Sequence, residues 1–112
     1  MAKDEAPEWV FCFYRVVPGK EEELVGLMGR HDRAVRKLGL VTDEPTQVWR
    51  GADDRGRPFF VKLFEWRSGE AVERAHEHPE VLAVWERMDP LCEPRDGRPG
   101  MEFPHVERVA LP

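Results

Sequence analysis

His31 lies inside a stretch where Leu24, Leu27, Met28, Ala34, Val35 and Leu38 recur at three- and four-residue spacing. That spacing is one face of a helix, so the imidazole is directed at the protein interior and, if a pocket opens there, into it. Two roles fit such a group. It is a base that takes a proton from an acidic carbon or a phenol, or it is a core histidine satisfied by a backbone carbonyl. His76 stands one helical turn after Val72, shortly before Pro79 interrupts the helix. Pockets open at helix breaks, and a cation there is favoured by the carboxyl end of the preceding segment. A capping or surface role is the alternative for His76. His78 precedes Pro79 and is expected to face solvent. Residues two apart on a helix point about 200° apart, so His76 and His78 do not chelate unless the segment unwinds. No third ligand is in sight, and no metal or other cofactor is expected.

Tyr14, Arg15 and Lys62 interrupt two otherwise apolar runs, Trp9 to Val17 and Pro58 to Trp66. A buried charge needs a partner, which Glu65 or Glu107 could supply. If Arg15 or Lys62 faces a cavity instead, the site would favour an anionic or enolate-bearing ligand. Phe13, Trp66 and Trp85 offer aromatic wall, although core packing accounts for such residues equally well. Ser68 is the only serine and sits where a helix cap is needed, outside any nucleophile elbow. Cys12 and Cys92 fit neither a disulfide framework nor a zinc spacing, and no cationic motif beside them would activate a thiolate. Gly-rich phosphate loops are absent.

These groups are held by a simple succession of elements. After the first strand, Pro18 and Gly19 break the run, and Lys20 to Glu23 opens a helix that Gly39 ends. Thr46 to Arg50 and Pro58 to Trp66 flank Gly51 to Arg57, whose Asp54, Gly51 and Gly56 are turn formers, which predicts a hairpin. Ser68 caps a second helix, and Pro79 restarts it with its own apolar stripe of Val81, Val84, Trp85, Met88 and Leu91. Glu93 to Gly100 is a Pro- and Gly-rich loop. Glu102 to Val109 forms a last strand that Pro104 confines to a sheet edge. Strand, helix, strand, strand, helix, strand with right-handed crossovers predicts a four-stranded antiparallel sheet, strands one and three central, both helices on one face.

The two central runs barely alternate between apolar and polar residues. A strand with one wet face alternates, whereas a near-continuous apolar run is covered on both sides. Helices in so short a chain cover one face only. A second copy of the protein, sheet against sheet about a two-fold axis, is therefore the expected cover for the other.

Composition narrows the classes further. A chain of 112 residues, 35% charged and of net charge −5, suits one soluble domain, 1–112, and offers no basic face for nucleic acid. Arg95 and Arg98 fall in a loop, and Arg33, Arg36 and Lys37 are expected on a solvated helix surface. The acidic residues 1–8 read as a flexible terminus without the apolar core of a signal peptide, and no run reaches the length of a membrane span. A cytoplasmic protein with no membrane partner is expected.

Phe64 to Ala71, then Ala75 and His76, then the broken helix through Val84 and Trp85, resemble the antibiotic-biosynthesis-monooxygenase-like group of dimeric α/β-barrel proteins. The shared pattern is a tryptophan ending strand three, a small polar cap, an acidic-Ala helix start and a histidine near the helix break. The resemblance implies a ferredoxin-like α+β fold, βαββαβ, assembled as a homodimer. Proteins of that kind include cofactor-free oxygenases, haem-degrading enzymes and small-molecule isomerases, so fold is implied more firmly than reaction. The haem-degrading pattern fails here. The chain has no Asn, and an ungapped match from Trp66 puts Ala75 in place of the helical Trp and Trp85 in place of the haem-proximal His.

The expectation is a homodimer that binds a small, largely apolar, aromatic or polyketide-like molecule between sheet and helices. His31 and His76 are the catalytic candidates of a cofactor-independent monooxygenase, and Phe13, Tyr14, Arg15, Lys62, Trp66 and Trp85 are the substrate-binding candidates. A non-catalytic ligand-binding or structural dimer is the alternative.

Overall fold

The computed structural model describes residues 5–112. Its elements in chain order are β1 (Glu8–Tyr14), α1 (Glu21–Lys37), β2 (Gln47–Ala52), β3 (Pro58–Trp66), α2 (Gly69–Glu77), α3 (Pro79–Met88), a 3₁₀ turn (Asp89–Leu91), β4 (Met101–Glu102) and β5 (His105–Val106). Of the expected flexible terminus, residues 1–4 lie outside the described residues. Glu8 opens β1 opposite Trp66.

The sheet runs β2-β3-β1-β4, with β5 also on β1. All pairings are antiparallel, and β1 and β3 are central. The expected last strand arrives as two short pieces parted by Phe103 and Pro104. Proline has no N–H to give, yet its carbonyl still accepts from Phe11 N at 2.9 Å, so this ribbon remains an edge.

Helix α1 buries Leu24, Leu27, Met28, His31, Ala34 and Val35 against the sheet. It ends where Gly39 takes a φ of 70°. The Gly39 and Leu40 amides then donate back to Arg36 O and Val35 O, which closes a Schellman motif. Ser68 Oγ accepts from Ala71 N at 3.0 Å and caps α2. His78, extended at ψ 121° as a residue before proline prefers, caps α2 and starts α3, its Nδ1 accepting from Glu80 N. It therefore caps the break rather than simply facing solvent.

On β1 and β3 the inward residues Val10, Cys12, Tyr14, Phe60, Lys62, Phe64 and Trp66 are buried, and their neighbours are half-buried. Those neighbours, Trp9, Phe11, Phe13, Phe59, Val61 and Leu63, are apolar too. With Trp49, 50% exposed, they make the helix-free face an open apolar surface.

Two charged groups differ from expectation. Arg95 is buried, its guanidinium bonded to the carbonyls of Pro58 and Val16, so it ties the loop to the sheet. Arg36 is half-buried and braces the segment before β2 through Asp32, Thr46 and the carbonyls of Thr42 and Glu44. In both cases guanidinium donors satisfy backbone carbonyls that no strand partner reaches. Among the described residues no helix is long and apolar enough to cross a membrane.

Candidate active site

A cavity of about 230 Å³ lies between the helix-covered face of the sheet and the helices. Strand alternation sets its floor, because Cys12 and Tyr14 on β1 and Lys62, Phe64 and Trp66 on β3 point the same way. Its roof comes from His31 of α1, Val72 and His76 of α2, and Trp85 of α3. The inward residues of α2 are alanines, Ala71 and Ala75, which occupy less room than the leucines and methionines of α1. Met101, Phe103 and His105 close one side.

The polar centre of this apolar wall is a pair. Lys62, 1% exposed, places Nζ 3.2 Å from Nδ1 of His31, itself 3% exposed. Burial first and the lysine charge second hold the His31 pKa well below its usual value, so the imidazole is neutral. Burial also lowers Lys62, an effect that the Cys12 side chain and the Asp32 carboxylate oppose in part. With Lys62 as an ammonium, which has no lone pair, His31 Nδ1 is the acceptor and the ring proton resides on Nε2. That Nε2 is buried with no hydrogen-bond partner among the described residues. Among the described residues the ring is met by Lys62 and not by a backbone carbonyl, and as long as Lys62 is charged the imidazole offers a donor at Nε2.

Aromatic rings surround the pair. Trp85 stacks on His31 at 5.7 Å, while Phe64 and Trp66 meet it edge-on at 5.8 and 6.4 Å. Phe64 also presents its face to Lys62 Nζ at 4.9 Å. His76 is exposed at the rim, its ring 5.0 Å from that of Trp85. Burial raises the Cys12 thiol and takes the Tyr14 phenol well above its usual range. Cys92 is pushed up to about 11, so neither cysteine is an activated thiolate.

Six of the eight residues singled out from sequence therefore meet in one cavity: His31, His76, Tyr14, Lys62, Trp66 and Trp85. Phe13 and Arg15 do not join them. Successive strand residues alternate faces, which puts both on the far side of the sheet in a separate hollow with Phe59 and Arg95. Arg15 is paired there with Glu102 at 2.6 Å, not with Glu65 or Glu107. Glu65 accepts from Thr42 Oγ1 at 2.8 Å instead, and Lys62 has no carboxylate within 4.0 Å among the described residues. Cys12, Met101, Phe103 and His105 were not foreseen. Period-two reasoning from Tyr14 would have found Cys12, but the others depend on how the broken edge ribbon folds over β1. Among the described residues no group of three or more His, Cys, Asp or Glu could hold a metal ion.

No family model matches the chain, and no curated protein matches it. Solved structures do. An antibiotic biosynthesis monooxygenase structure superposes with a TM-score of 0.68 at 12% identity, covering 92% of this chain and 99% of that one. A variant of SnoaB, a cofactor-independent oxygenase from Streptomyces nogalater, gives 0.66 at 17% identity over 96% and 98%. A dimeric ferredoxin-like protein of unknown function from Jannaschia sp. gives 0.62 at 14% over 92% and 100%. At such identities the likeness is one of architecture. The chain has the ferredoxin-like α+β fold seen in antibiotic biosynthesis monooxygenase structures.

Proposed function

We propose that the chain is a homodimeric, cofactor-independent monooxygenase for a small aromatic or polyketide-like molecule bound in the cavity beneath the helices. One observation carries this reading: the cavity is walled by aromatic rings yet holds a buried imidazole nitrogen with no partner among the described residues and a second imidazole at its rim. Purely structural cores satisfy their buried polar atoms. The fold shared with a cofactor-independent oxygenase adds support.

His76 is the base, exposed and able to pass its proton to water. The ionised substrate supplies the electrons. Its carbanion adds dioxygen, and the resulting peroxide loses water, so a methylene and O₂ become a carbonyl and H₂O. Trp66, Trp85 and Phe64 keep bulk water from the reacting carbon. The second subunit covers Trp9, Phe11, Phe13, Trp49, Phe59, Val61 and Leu63 on the opposite face.

Oxygen uptake with a panel of hydroquinones and anthrones tests this directly. Consumption above the buffer rate is expected, falling roughly 10²–10⁴-fold in His76→Ala while ligand-induced thermal shifts persist. No consumption with any member of the panel would defeat the oxygenase reading.

A further inference from the structure

Resting on the reading of the cavity as a ligand site, we propose that Lys62 and His31 form an oxyanion subsite, and that the ligand carries an acidic phenol or enol bound as its anion. Lys62 has three N–H donors, and among the described residues its one hydrogen-bond partner is His31 Nδ1 at 3.2 Å. Among the described residues no carboxylate pairs with it. Asp32, whose charge acts on it from α1, is already engaged with Arg36 at 3.1 Å and Thr46 at 2.6 Å. Cys12 and Tyr14 on β1 stay protonated because burial raises both, so neither becomes a counter-ion. The faces of Phe64 and Tyr14, 4.9 and 5.9 Å from Nζ, offset only part of what a buried ammonium loses by leaving water.

The imidazole adds a second donor. Accepting from Lys62 fixes its proton on Nε2, which is buried without an acceptor among the described residues. The cavity lining thus contains a positive charge and two donor groups set among flat rings, and among the described residues it lacks an anionic acceptor. A carbonyl oxygen would meet one donor but leave the charge. A phosphate would carry more charge than one ammonium and one neutral imidazole in an apolar cavity of about 230 Å³ can balance. A planar aromatic or enolic oxyanion meets both requirements. It also links the subsite to the reaction, because holding the anion lowers the cost of removing the proton.

The titration of 4-nitrophenol, whose phenol and phenolate absorb at different wavelengths, reads this subsite. Quenching of tryptophan fluorescence, with Trp66 and Trp85 in the wall, reports binding independently of ionisation. The bound phenol is expected to ionise at least about one pH unit below the free phenol, a tenfold preference for the anion. Lys62→Met is expected to bind the probe without that shift, whereas Lys37→Met, which removes an exposed lysine outside the cavity lining, retains it; His76 and His105 are the further imidazoles of that lining. Quenching with an unshifted or raised midpoint in the unmodified protein would overturn the subsite and leave the ligand site standing. A full shift in folded Lys62→Met would overturn it as well. Absence of quenching at every concentration and pH would instead defeat the ligand-site reading. The unmodified protein decides the matter even if a variant fails to fold.

Discussion

An ammonium 1% exposed among aromatic rings, with an imidazole nitrogen as its hydrogen-bond partner, destabilises the fold that contains it. Folding alone would favour a methionine there, similar in length and without charge. Lys62→Met is therefore expected to stabilise the protein by about 1–4 kcal/mol, with a raised thermal midpoint. A lowered midpoint would show that the charge serves the fold itself. The same residue shows where sequence reading stops. Lys62 stood out at once as a charge in an apolar strand, but its partner could not be read, because contact with His31 depends on how α1 crosses β3. Tyr14 illustrates the converse. Phe13, Tyr14 and Arg15 are consecutive, so only one face can hold Tyr14 without the other two. The lack of apolar-polar alternation, which pointed to a sheet covered on both sides, also erased the signal that tells those faces apart.

The elements themselves were legible because each is marked by local chemistry. Gly39 at positive φ stops α1, Ser68 caps α2, and Pro79 both ends one helix and begins the next. The edge ribbon was harder. Glu102 to Val109 reads as one strand, yet Pro104 leaves two pieces of two residues each, and that interruption carries Phe103 to the cavity rim. Ser68 deserves a quantitative test, since α2 is short and carries His76. Ser68→Ala removes the acceptor for Ala71 N and is expected to cost about 1 kcal/mol in urea denaturation. No loss would mean that packing of Ala71 and Ala75 alone holds the helix.

At the scale of the whole molecule, the sheet separates two kinds of surface. Its helix-covered side combines a packed core with a cavity holding Lys62 and His31, while its bare side displays Trp9, Phe11, Phe13, Phe59, Val61, Leu63 and the half-exposed Trp49. These apolar residues, with Arg15 over Phe13 and Arg108 over Trp9, exceed what scattered surface hydrophobes explain, and a second copy related by symmetry is the cover we propose for them. In the proposed homodimer one set of apolar strands serves both the core and the interface. Sedimentation equilibrium at micromolar concentration measures this without labels or ligands. A mass twice the 13.0 kDa of one chain is predicted. A single species of 13.0 kDa would contradict it.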